Sequence, residues 1–81
     1  MAKDKLRGRI RYFKGEFHKR QKYDEWYIFE IKWDSEDEWG LESAYPIVKY
    51  TNDGITDEVV HYTALTHIRQ WQRLGITFHF A

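Results

Sequence analysis

The chain has 81 residues, a formal net charge of zero and no cysteine, and it carries four Trp, six Tyr and five Phe. That length forms one domain, 1–81, and without cysteine neither a disulfide nor a thiolate zinc site can stabilise it, so the core must be built from the aromatics. The zero net charge is uneven: residues 1–23 sum to +7, residues 24–58 to −9 and the rest to +2. Such segregation either builds a dipolar surface or vanishes through pairing across neighbouring strands.

Leu6 to Phe13 alternates, with Leu6, Gly8, Ile10 and Tyr12 on one side and Arg7, Arg9, Arg11 and Phe13 on the other. Period two predicts a strand with a core face and an arginine face. Gly8 inside it predicts a bulge or a close backbone approach. Lys14-Gly15 fits a turn, Glu16 to His18 could continue a hairpin, and His18 to Lys22 reads as a basic loop. Trp26 to Trp33 is a second strand, central because Tyr27, Phe29, Ile31 and Trp33 line one face while Trp26 and Ile28 lie on the other. The run 34–38 is an acidic turn.

A third strand is predicted over Tyr45 to Tyr50, with Pro46, the only proline, near its start. Asn52-Asp53-Gly54 is a hairpin signal leading into Ile55 to Tyr62, and Glu58 to Tyr62 is read as strand. Ala64, Leu65, Ile68, Trp71 and Leu74 form one stripe of a helix over 64–74, with Thr63 as N-cap and Gly75 just past its end. Ile76 to Phe80 is a last strand, Phe78 on one face and His79 on the other. The expected fold is α+β and mainly antiparallel, in the order β-β-β-β-α-β. It would be a small curled sheet or an SH3-like or OB-like barrel, with one short helix before the last strand.

Arg7, Arg9 and Arg11 on one strand face can meet a phosphate backbone through bidentate forks, and Lys14, Lys19, Arg20 and Lys22 would extend the patch. Tyr12, Phe13, Phe17 and Tyr23 would supply stacking surfaces, as in modules that bind single strands. The rival reading pairs the arginines with Glu30, Glu42 or Asp24 on neighbouring strands. The expected function is a non-enzymatic nucleic-acid-binding module, for RNA or DNA. The alternative is a protein-binding adaptor or inhibitor, for example a small viral or mobile-element regulator. It would act through Trp26, Trp39 and the acidic Asp34, Glu36, Asp37 and Glu38.

Free edge strands would allow homodimerisation. No cofactor or metal is expected, and the acidic turn lacks the ligand order of a calcium loop. His61 and His67 match no metal or catalytic spacing, and no nucleophile motif or phosphate loop is present. A small metal-independent RNase is the one enzymatic alternative. With no apolar leader, no long apolar run and no cysteine, the expected setting is cytoplasmic or otherwise intracellular, away from membranes. The run WYIFEIKWDSEDEW is similar to part of the methyl-lysine-binding chromo and Tudor-type modules, which hold ammonium groups in aromatic cages. The similarity stops at Trp39 and assigns no residue a role.

Overall fold

Alternation in the first two strands sets the architecture. The computed structural model describes residues 6–17, 25–48 and 54–81. Strand β1, Arg7–Gly15, pairs antiparallel with β2, Trp26–Trp33, in a register that places Ile10 beside Ile31 and Tyr12 beside Phe29. Large apolar groups therefore meet on one face, the arrangement that cross-strand pairing rewards. Strand β3, Gly40–Pro46, lies antiparallel along the other side of β2, and β4, Thr77–Phe80, joins β1 in parallel. The order is β3-β2-β1-β4.

A parallel neighbour requires a crossover, and helix α1, Val60–Gln72, lies within it. Val60, Ala64 and Ile68, four residues apart, are the helix's buried line, and they meet Ile10, Tyr27, Phe29, Ile55 and Phe78 in the core. Trp33, Trp71 and Phe78 add mutually angled rings, with centroids 5.1–5.9 Å apart. The class is α+β with a mixed, mostly antiparallel sheet. The sheet is not closed: β3 and β4 are its two edges.

Three expected elements differ. Lys14-Gly15, expected as a turn, is instead the end of β1, paired with Tyr27 and Trp26. The third strand starts at Gly40, not Tyr45. It is an edge with a shift in register, Phe29 facing Ser43 while Glu30 faces Leu41, so Glu42 is left over as a bulge residue and simple alternation is lost. No strand runs from Ile55 to Tyr62. Ile55 makes one parallel bridge to Ile47, residues 57–59 form a turn, and the helix begins at Val60. The β-branched pair Val59-Val60 reads as strand by propensity, but burial of Val60 in line with Ala64 outweighs that preference. The observed order is thus β-β-β-α-β.

Thr63 does not cap the helix: its hydroxyl donates to the Val59 carbonyl at 2.9 Å, and Val59 occupies the N-cap without a side-chain bond. Of the predicted hairpin turn, Asn52 and Asp53 lie outside the described residues. Gly75, with φ of 81°, ends the helix as its position suggested, and the Ile76 amide donates back to the Trp71 carbonyl at 3.1 Å.

Gly8 sits where the Phe78 ring crosses β1. A Cβ there would lie 2.5 Å from the Lys32 carbonyl oxygen and 2.6 Å from Phe78 Cε1. The close backbone approach expected of this glycine is made by the Lys32 carbonyl on β2, and the Phe78 ring closes in from the core as well. Gly8→Ala should cost about 2 kcal/mol or more, because both neighbours are held in the sheet and core. A shift in the urea midpoint measures it; an unchanged midpoint would show that Phe78 can move aside.

Candidate nucleic-acid interface

The sheet has one face under α1 and one face that no described helix covers. Arg7, Arg9, Arg11 and Phe13 project from β1 onto the uncovered face, and all four are exposed. They do not share one fate. Arg11 donates through Nε and Nη2 to Glu30 Oε1, at 2.9 and 2.7 Å, and its guanidinium lies 4.0 Å over the Trp39 ring. Arg7 and Arg9 form no ion pair among the described residues. Glu30, one of the three acids suspected of neutralising the arginines, claims only Arg11.

Cross-strand register adds two groups that alternation within single strands did not bring out. Lys32 faces Arg9 from β2, and His79 faces Arg9 from β4. Lys32, Arg9 and His79 thus form a row across three strands at about 4.8 Å spacing. Lys32 Nζ donates to the uncharged Glu36 backbone carbonyl at 3.1 Å, and Lys32 forms no ion pair among the described residues. Arg7 stands beside Thr77 at the end of β1. The acidic turn borders this end: the Asp34 amide donates to the Arg7 carbonyl at 3.0 Å, and Asp37 and Glu38 are exposed while Glu36 is half-buried.

Other expected contributors lie elsewhere. Lys14 reaches the helix side, where it pairs with Asp57 at 3.2 Å. Tyr12 packs on the core and bonds His61 there, so it offers no stacking surface on the arginine face. Phe17 lies against Trp26, with centroids 5.4 Å apart. Lys19, Arg20, Lys22 and Tyr23 fall outside the described residues. Trp26, the proposed anchor for a protein partner, is only 8% exposed, and Trp39 is half-buried under Arg11.

The helix side holds a second polar arrangement. Three tyrosines, one from each of β1, β2 and β3, reach the helical segment through their hydroxyls. Tyr12 Oη meets His61 Nδ1 at 3.0 Å, Tyr27 donates to Asp57 Oδ1 at 2.5 Å, and Tyr45 Oη meets His67 Nε2 at 3.0 Å. His67 Nδ1 also lies 3.2 Å from Glu42 Oε2, the bulge residue, while Ser43 donates to Glu42 Oε1 at 2.6 Å. His61 and His67 lie six positions apart, about 9 Å along the helix axis, and each is held by a different tyrosine.

No family model, no curated protein and no solved structure matches this chain significantly. The similarity of residues 26–39 to chromo and Tudor-type modules therefore finds no family match, and function rests on the chain's own residues. No helix among the described residues is long and apolar enough to cross a membrane.

Burial pushes the Tyr27 phenol up from 10.0 to about 12, and its bond to Asp57 acts in the same direction. The same bond, with help from Lys14, holds the Asp57 carboxyl below its usual range. Since the folded chain favours neutral Tyr27, this stabilisation is complete below pH 10 and is lost as pH rises from 10 towards 12. Urea unfolding across that range should show falling stability in the parent chain and a flatter profile in Tyr27→Phe. Equal slopes would exclude Tyr27 as the responsible group.

Burial alone would push the Glu42 carboxyl up, but hydrogen bonds from His67 and Ser43, the His67 charge and a bond from Trp71 outweigh it and leave it lowered from 4.5. A depressed carboxyl stabilises the fold above its ordinary value and stops doing so as pH falls through the folded one. Glu42→Gln should cost about 1–3 kcal/mol at neutral pH and reduce the acid sensitivity of unfolding. The same acid dependence in that variant would assign it to another group.

Proposed function

We propose that this chain binds nucleic acid on the uncovered face of its sheet. One observation carries the reading: Lys32, Arg9 and His79 stand side by side, next to Arg7, and neither Arg7, which has Asp34 as its neighbour at the turn, nor Arg9 forms an ion pair among the described residues. Arg9 and Lys32, two cationic side chains directly opposite on adjacent strands, cost stability, so folding alone gives no reason to align them there. A polyanion laid across the face removes that repulsion and releases its own counterions. Arg7 and Arg9 suit phosphate because a guanidinium presents two parallel donors.

Arg11 has a different part. Glu30 and Trp39 hold its guanidinium in place, so it shapes the face more than it adds free charge. The protein-binding alternative has less in its favour, since Trp26 is 8% exposed and Arg11 lies over Trp39.

Labelled oligonucleotide binding, followed by anisotropy over about 50 to 200 mM salt, tests the proposal. Arg7→Gln with Arg9→Gln should weaken binding and make the salt slope shallower by roughly 1.4 to 1.8, the value for two phosphate contacts. Arg9→Gln should leave folding stability unchanged or raise it by a few tenths of a kcal/mol, because a like-charge contact is removed. Undiminished binding by the double variant overturns the proposal.

A further inference from the structure

Resting on that reading, we infer that the nucleic acid is single-stranded, with phosphates at the Arg7–Arg9 end of β1 and an unstacked base at Phe13. The two ends of this strand differ in chemistry along one face. Arg9 and, beside Asp34 at the turn, Arg7 form no ion pair among the described residues, whereas two residues past Arg11 the strand presents Phe13, a ring that is 40% exposed. Between them lies the Arg11 guanidinium, 4.0 Å from the Trp39 centroid and 5.8 Å from that of Phe13, with 43% of its side chain exposed.

A guanidinium plane stacked on indole is itself a surface on which a base can stack. Phe13 and Arg11 over Trp39 thus make two adjacent stacking surfaces, about 13 Å along β1 from Arg9 to Phe13. Phe13 is set in place by its neighbours: it lies opposite Ile28 on β2 and beside Gly15, where a Cβ would come 3.8 Å from the Phe13 ring and 3.2 Å from Ile28 Cδ1.

Duplex nucleic acid does not use these surfaces. Its bases are already stacked and paired, so an exposed ring gains nothing from them. The centres of the outer strands of a four-stranded sheet are about 14 Å apart, too broad to insert flat into a major groove about 12 Å wide. A duplex would touch only Arg7, Arg9 and Lys32 through its phosphates. Exposed aromatics on a basic sheet face are matched to a strand whose bases can turn outward, where stacking tolerates any base identity.

The experiment compares a labelled single-stranded oligonucleotide of about 10 residues with its duplex, in DNA and in RNA, against three forms of the chain. These are the parent, Phe13→Leu and the Arg7→Gln, Arg9→Gln double variant. Phe13→Leu keeps apolar bulk against Ile28 and Gly15 but removes the ring, and circular dichroism verifies its fold. The parent should bind the single strand at least about tenfold tighter than the duplex. Phe13→Leu should lose about that factor on the single strand alone, with its salt slope unchanged. The double variant should lose affinity for both ligands and show a shallower slope.

Equal affinity for single strand and duplex, or a single-strand affinity that Phe13→Leu leaves untouched, overturns this inference while the phosphate-binding proposal stands. Failure of the parent to bind any of these ligands overturns both.

Discussion

The fold depends on three phenols that belong to two environments at once. Tyr12, Tyr27 and Tyr45 come from three neighbouring strands, and each extends its hydroxyl to the segment that contains α1: to His61, Asp57 and His67. Tyr27 is a core residue, and Tyr12 and Tyr45 pack against the core. Each ring contributes apolar area while its polar tip is satisfied, so none leaves an orphaned donor in the interior. A helix whose N-cap Val59 offers no side-chain bond gains from the sheet the anchoring that its own end lacks. The bulge at Glu42 belongs to the same arrangement, since the leftover residue supplies the carboxylate that orients His67.

With polar groups on the helix side committed in this way, the opposite face is under different physical demands. It does not have to receive the helix. Around Arg11 it is locally neutralised by Glu30 and covered by contact with Trp39, yet the cationic pair Arg9 and Lys32 has no ion-pair partner among the described residues. For a domain of this size a few tenths of a kcal/mol per like-charge contact is tolerable, because the inner face carries the stability. Unequal treatment of the two faces is the physical basis for placing function on the outer one.

Much of this organisation was legible in the residues. The alternation of β1, β2 and β4 assigned Ile10, Phe29 and Phe78 to the buried side and the arginines to the other, because a strand's period of two survives wherever one face must be dry. Gly8 and Gly75 announced a close approach and a helix end, since only a missing Cβ permits either. The starts of α1 and β3 were hidden for opposite reasons. Val59-Val60 looks extended until its burial opposite the sheet is known. Gly40 to Ser43 looks irregular because a bulge on an edge breaks the alternation.

The candidate site was half visible for a related reason. Arg7, Arg9 and Arg11 sit within one strand and share a period, but their neighbours are determined by register. Nothing local distinguishes Glu30, which neutralises Arg11, from Glu42, which turns instead to a histidine on the helix. Nor does anything local bring Lys32 and His79 to Arg9.

The parallel junction between β1 and β4 has a consequence for when the molecule acquires its charged row. Arg7 is aligned with Thr77, and Arg9 with His79, seventy positions further along the chain. A ribosome would therefore have to release residue 79 from its exit tunnel before the row could exist. A nascent chain that has made only its first hairpin shows Arg9 and Lys32 on a ribbon with no fourth strand and no helix behind it. Long-range closure of this kind slows folding, and it also delays the display of the complete row until synthesis has passed β4.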